Sequence, residues 1–528
     1  MTYINSVSEE NQMPEENKNF ASNEDGAPEE QVSTREIQDS FDVGTDNSWV
    51  SAEEMQHSAE NVGDTNFCEE CDSGEKDKKK IKKKKLRISL RAFLLSSVAL
   101  VLATVMLTYS ICAEFFREKY VNSVVKGEEV IVDGEPQLSE FDLLNAYIDK
   151  YYYGDADKEK MMDAALKAYV AATGDVYATY YTLEELLENR EEDAGRMSGI
   201  GVNIVNDEFE YNGSNIKCLH IYNVVDGSPA EKAGVRRGDL LVYVGTGDAK
   251  QSVNDLGYEK ALELLLGEVG TAAEFTVCRK SDNSYSEIEF SDVIRGDLES
   301  TSVMADVYEK DSSVGILTIT DFNYTTPSQF EKKLEALKAD GCSKFVIDLR
   351  YNPGGLLVSI QAVLSYFLNE NDVFIQTKDS NGNIQQLTVK PVDYQQGDAI
   401  KCNVDADDIG KYRNLDLVVL CNKGTASAAE LFVANMKDYG LAKIVGVNTF
   451  GKGKMQDTFL LNYGLNGAVK LTTHMYFSGG DSELVGYDGV GIVPDLKVEL
   501  SEEAAQYFPY ILPQALDGQL IAAVGLFN

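Results

Sequence analysis

Ser427 and Lys452 stand 25 positions apart and have types that do chemistry together. Ser427 follows the strand-like run LDLVVLC and a turn of small residues. It precedes Ala428-Ala-Glu430-Leu-Phe-Val-Ala-Asn-Met, which reads as a helix ending near Gly440. A serine at a strand-to-helix junction can attack a carbonyl, because the helix dipole and unpaired N–H groups favour an oxyanion. The same position also suits a serine that only caps the helix. Lys452 lies in Gly451-Lys-Gly453, after the strand-like AKIVGV. A serine hydroxyl needs a base to take its proton. Lysine can serve when burial lowers its pKa from about 10.4 toward roughly 7–8. The chain has only three histidines, His57, His220 and His474. A zinc site built on several histidines is thereby disfavoured, and nothing in the sequence calls for a metal or a cofactor. As an alternative base, His474 would need a carboxylate partner and would leave Lys452 without a role. Its other reading is a histidine packed at a strand edge.

Three kinds of element have to position these residues. From Val314 onward, VGILTI, KFVIDL and LDLVVLC alternate with helical stretches, which predicts an α/β layer domain over 294–528. Between Gly199 and about Ile294 the pattern is short β-rich runs punctuated by glycine. Residues 114–195 are expected to form a helical stalk or cap, with Ser139 as an N-cap and MMDAALKAYVAA at helical spacing.

Two resemblances sharpen this reading. Gly199-Ile200-Gly201-Val202, LHIYNVV, Gly227-Ser-Pro-Ala-Glu-Lys-Ala-Gly234-Val-Arg-Arg-Gly238-Asp239 and LLVYVG resemble a PDZ domain of the bacterial protease type over 196–293. The resemblance implies that Gly199, Ile200, Gly201 and Val202 present N–H groups to a peptide C-terminal carboxylate. The peptide would add as a strand, with the helix near Tyr258–Leu266 flanking the groove. Leu262, Leu265 and Leu266 read as groove or core residues. The segments Asn422-Lys-Gly424-Thr-Ala-Ser427-Ala-Ala-Glu430 and Thr449-Phe-Gly451-Lys452-Gly453-Lys-Met-Gln456 resemble the carboxyl-terminal processing peptidases, also called tail-specific proteases. Asp348-Leu-Arg350-Tyr-Asn352-Pro-Gly354-Gly355 and Gly491-Ile-Val-Pro494-Asp495 extend the match, which covers roughly 140–528. The resemblance implies a crotonase/ClpP-like βαβ protease core. In it Ser427 is the nucleophile, Lys452 the general base and Gln456 the residue that orients the lysine. It also implies an oxyanion hole from N–H groups of Gly355 or Gly354 and of Ala428. Substrates would be proteins or peptides with apolar C-termini. Thr425 and Ala429 depart from the usual serines of the pattern, Lys454 adds a second cation, and Met475-Tyr476-Phe-Ser-Gly479-Gly480 replaces a Y-x-T-P-x-G element. Two other function classes are weighed. One is an inactive PDZ scaffold, against which Ser427, Lys452 and Gln456 together argue. The other is a crotonase-like acyl-CoA enzyme, which offers no reason for a PDZ module.

Charge divides along the 528 residues, whose net value is −39. Residues 1–77 carry −18, are poor in aromatics and read as a disordered tail holding Trp49, the chain's one tryptophan. Residues 78–91 carry +9, and Ala92–Ala113 is a run of 22 uncharged residues. A helix of that length spans about 30 Å, one bilayer core. The basic flank predicts a single-pass anchor in the cell membrane, with the tail cytoplasmic and everything after Glu114 outside. The remainder carries −30, which disfavours nucleic acid as a partner. Cys68-Glu-Glu-Cys71 is a lone pair in the tail, and five of the eight cysteines follow the apolar run. An odd number so spread is not a disulfide framework. A homodimer is compatible with these features.

Overall fold

The computed structural model describes residues 140–281, 284–396, 400–461, 467–481 and 486–527. The acidic tail, the basic block, the apolar run 92–113, Cys68, Cys71 and Ser139 lie outside them. Among the described residues no helix is long and apolar enough to cross a membrane. They fall into two compact units, 140–172 and 173–527.

The first unit holds two helices, α1 (Glu140–Tyr151) and α2 (Lys158–Ala171). Asp157 caps α2 by accepting from the Lys160 N–H at 3.1 Å, and Lys158 pairs with Asp149 at 2.6 Å.

The second unit opens with strand β1 (Thr179–Tyr181) and helix α3 (Leu183–Asp193). Within the segment expected to be a helical cap there is therefore also a strand, and it joins a sheet of the core. Next comes an antiparallel sheet of β2 (Val202–Tyr211), β3 (Ser214–Val224), β4 (Leu240–Val244), β5 (Ala272–Ser281) and β6 (Ser284–Ile294). Their order is their chain order, which leaves β2 at the edge; a short strand at Gln251–Ser252 adds to β4. The helices that attend this sheet include α4 (Pro229–Ala233) and α5 (Tyr258–Leu265). The short α4 follows from Ser228 at its N-cap, Pro229 in its first turn and Gly234 at φ 90° closing it. In α5, Ala261 and Leu265 are buried with Ile200, Val202, Leu241 and Phe275, whereas Leu266 is exposed.

The core is an α/β layer arrangement. One sheet runs β7 (Val303–Val307), β8 (Val314–Ile319), β9 (Lys344–Asp348), β12 (Asp416–Cys421), β13 (Lys443–Gly446) and β16 (Leu496–Lys497). Only β7 is antiparallel to its neighbour. The central strands β8, β9, β12 and β13 are buried on both faces, so they read as nearly unbroken apolar runs rather than as alternation. One face, with Leu317, Ile347 and Val419, packs on α6 (Thr326–Ala339), α7 (Leu357–Ser365) and α8 (Ala428–Asp438). The other, with Val346, Val418 and Val445, packs on Leu520 and Ala523 of α9 (Gly518–Gly525). A second sheet combines β1, β10 (Val373–Asp379), β11 (Ile384–Thr388), β14 (Lys454–Leu460) and β15 (Ala468–Ser478). In it β1 pairs with the first half of β15, Thr179 opposite Lys470.

Arg350, 3% exposed, ties α9 to the loop after β9 by bonding Asp348, Asp517 and Gln519. Burial opposes its charge, but the two carboxylates outweigh burial and hold the guanidinium firmly protonated.

Candidate active site

Four loops meet at the carboxyl ends of the parallel strands β8, β9, β12 and β13, where open α/β sheets place their ligand sites. The loop after β12 runs from Asn422 to Ser427. Asn422 Oδ1 accepts from the Gly424 and Tyr351 N–H groups, at 2.9 and 3.0 Å. Thr425 Oγ1 donates to the Leu349 carbonyl at 2.8 Å, and the Ala426 N–H donates to the Asn352 carbonyl at 2.9 Å. Ser427 emerges at φ 55°, ψ −121°, immediately before α8. A capping serine sits in the extended region. This conformation instead belongs to a strained strand-to-helix elbow that thrusts a side chain outward.

The loop after β9 abuts the elbow. Asn352, fully buried, donates through Nδ2 to the Ile319 carbonyl at 2.9 Å and accepts the Gly354 N–H at 2.9 Å. A Cβ on Gly354 would lie 2.7 Å from Ser427 Cβ, and one on Gly355 would lie 2.2 Å from the Phe322 carbonyl oxygen. Both glycines have positive φ, 112° and 137°, so both the conformation and the room demand glycine. Of the two glycines expected as oxyanion donors, Gly354 has its N–H committed to Asn352. The N–H groups of Gly355 and Ala428 form no hydrogen bond among the described residues.

Glu430, at 0% exposure, joins the elbow to the loop after β13. Its Oε2 accepts from the Ser427 N–H at 2.9 Å and from the Lys452 N–H at 2.8 Å. Its Oε1 accepts from the Gly451 N–H at 2.7 Å and from Thr449 Oγ1 at 2.6 Å. Burial raises the carboxyl's pKa, and these four donors oppose the rise. Sequence reasoning quoted Glu430 without giving it a role. Its place three residues into a helix after the serine was the available signal, as in a capping box. Gly491 packs on the other side of this loop, where a Cβ would meet the Thr449 carbonyl oxygen at 2.2 Å.

The Lys452 amine is held differently. Burial first, and Lys470 second, lower its pKa below the ordinary lysine value, against Glu430 and Asp175, which raise it. Its Nζ lies 4.8 Å from the centroid of the Tyr177 ring. Among the described residues no hydrogen bond joins Nζ to Ser427 or to Gln456. Gln456 Nε2 donates instead to the Lys454 carbonyl at 3.2 Å and to Thr472 Oγ1 at 3.1 Å. The Tyr476 hydroxyl donates to the Lys452 carbonyl. Lys454 faces Asp488 at 3.9 Å. His474 lies 2.9 Å from Thr473 Oγ1 and 3.7 Å from Asp457. No hydrogen bond joins it to Ser427 among the described residues.

Residues 313–498 match the model of peptidase family S41. A probable CtpA-like serine protease of Staphylococcus saprophyticus is 29% identical, over 70% of this chain and 66% of its own length, just under two thirds. The carboxy-terminal processing protease CtpA of Bacillus subtilis is 28% identical over 74% of both chains. A solved photosystem II D1 C-terminal processing protease covers 73% of this chain and 91% of its own, at 24% identity and a TM-score of 0.37.

Proposed function

Because residues 313–498 match peptidase family S41 and the chain is similar to carboxy-terminal processing proteases, we propose that it is a serine protease of that type, with Ser427 as its nucleophile and Lys452 as its general base. The reading rests on one observation above all: a single buried carboxylate, Glu430, gathers the backbones of both residues. The strained elbow and the lowered lysine pKa support it. Neutral Lys452 takes the Ser427 proton as Oγ attacks the peptide carbonyl. The oxyanion is received by the unengaged N–H groups of Gly355 and Ala428, at the positive end of α8. The Lys452 ammonium then protonates the departing amine. Water hydrolyses the acyl-enzyme with Lys452 again as base. Gln456 orients the amine once the site is engaged.

Residues 196–293 act in this reading as a PDZ module that receives apolar C-termini. The edge position of β2 supports it, because an edge strand can accept a peptide as a further strand. The Ile200 and Gly201 carbonyls accept from the Ala230 and Val225 N–H groups, at 2.9 and 3.0 Å. A trans peptide then points the Gly201 and Val202 N–H groups the opposite way. Residues 92–113 anchor the chain in a membrane, with the tail inside and the catalytic unit outside.

The test is digestion of casein by the full chain in detergent, beside Ser427→Ala and Lys452→Ala. Cleavage by wild type and a loss of about 10⁴-fold or more in each variant are expected. Equal inertness of all three would favour the scaffold reading.

A further inference from the structure

Residues 173–178, far upstream of the catalytic loops, reach both the base and its expected orienting amide. Tyr177 lays its ring 4.8 Å from Lys452 Nζ. Asp175 Oδ1 accepts the Tyr177 N–H at 3.0 Å, which fixes the turn that presents the ring. Its Oδ2 accepts the Thr472 N–H at 3.3 Å, and Thr472 Oγ1 is the acceptor that occupies Gln456 Nε2. The segment continues into β1, whose pairing with β15 anchors it.

An aromatic face attracts a cation and offers a neutral amine little. The contact therefore favours the ammonium form, which cannot accept the serine proton. Glu430 and Asp175 add to that preference, while Lys470 and burial oppose it. Lys454, 6.0 Å from the Tyr177 centroid, and Asp488 are the other charges facing the ring.

We propose that residues 173–178 form a latch on the catalytic base, in which Tyr177 holds Lys452 as its ammonium ion off Ser427 while Asp175, through Thr472, holds Gln456 away from it. Release frees the amine to give its proton to solvent and then take that of Ser427. Tyr177 is thus a positioning residue, and the inference rests on the assignment of Ser427 and Lys452 above.

The experiment is the pH dependence of kcat/KM on labelled casein for the full chain, comparing wild type, Tyr177→Phe, Tyr177→Leu, Asp175→Asn and Lys452→Ala. Leucine keeps apolar cover but removes the ring face. Tyr177→Leu is expected to raise the rate at neutral pH several-fold and to move the acid limb down by about 0.5 to 1 pH unit. Asp175→Asn should move the limb the same way, and Tyr177→Phe should track wild type. A limb that stays or rises in Tyr177→Leu, or a slower enzyme, overturns the latch. If the melting temperature shows Tyr177→Leu to be misfolded, Asp175→Asn decides by the same criterion. Full activity in Lys452→Ala overturns the base assignment instead. An inert Lys452→Ala beside an unmoved Tyr177→Leu limb overturns the latch alone.

Discussion

Ser427 and the Lys452 amine sit in one site but are held by opposite means. The serine is over-determined. Its N–H is bound by Glu430, the residue before it by Asn352, and Gly354 packs on its Cβ. Such a mesh maintains a strained φ/ψ pair that an isolated turn would relax. The Lys452 backbone shares that mesh through the same carboxylate, yet its Nζ meets an aromatic face and, among the described residues, no hydrogen-bonding partner. The contrast teaches that the elbow at Ser427 and the N–H groups proposed as oxyanion donors are fixed by a hydrogen-bonded mesh, whereas the amine proposed as the base is not.

The largest expected effect comes from breaking the mesh. Glu430→Gln replaces two acceptor oxygens by one and turns an N–H₂ toward donors, so buried donors lose their partner. We expect a loss of about 3 kcal/mol in stability, read by denaturant unfolding, and at least a hundredfold fall in kcat/KM. Gly355→Ala comes next. Its methyl must push back the Phe322 carbonyl and move an oxyanion donor, which should cost about 10²-fold in kcat with KM little changed. The base itself gives a smaller, graded signal. Its pKa is lowered by burial and Lys470, so activity should rise with pH along an acid limb below the ordinary lysine value of about 10.4. Lys470→Gln removes a repelling cation, so the lysine pKa rises and the limb moves to higher pH. Lys454→Gln should do least. Lys454 is half-exposed and only 3.9 Å from Asp488, a pairing worth less than about 1 kcal/mol, and kcat/KM should change by about twofold or less.

The rigid half of the site was the more legible in sequence. A strand-like run, small residues, a serine and a helix announce a strand-to-helix junction, and the paired glycines after KFVIDL were legible through the family resemblance. The layer architecture followed from apolar runs long enough for two-faced strands. The hub at Glu430 was harder to see, because its four donors come from the elbow and from Thr449, Gly451 and Lys452, which only the fold brings to one carboxylate. The commitment of the Gly354 N–H to Asn352 had no sequence signal, since either glycine could turn its amide to a substrate. Tyr177 was illegible for a different reason. It lies 275 positions before Lys452, in a loop whose pattern carries no period, and it arrives through the pairing of β1 with β15. Gln456 reads in sequence as the residue that orients the lysine, whereas in the structure its amide donates to the Lys454 carbonyl and to Thr472.

The most direct measurement of the central claim is labelling of the full chain by a fluorophosphonate, with the modified residue located by mass spectrometry and the rate followed against pH. A single adduct on Ser427 is predicted, formed faster as pH rises through the Lys452 limb, with both the limb and the rate lost in Lys452→Ala. An adduct elsewhere, or labelling of Lys452→Ala at the wild-type rate, would contradict the assignment of Lys452 as the base that activates Ser427.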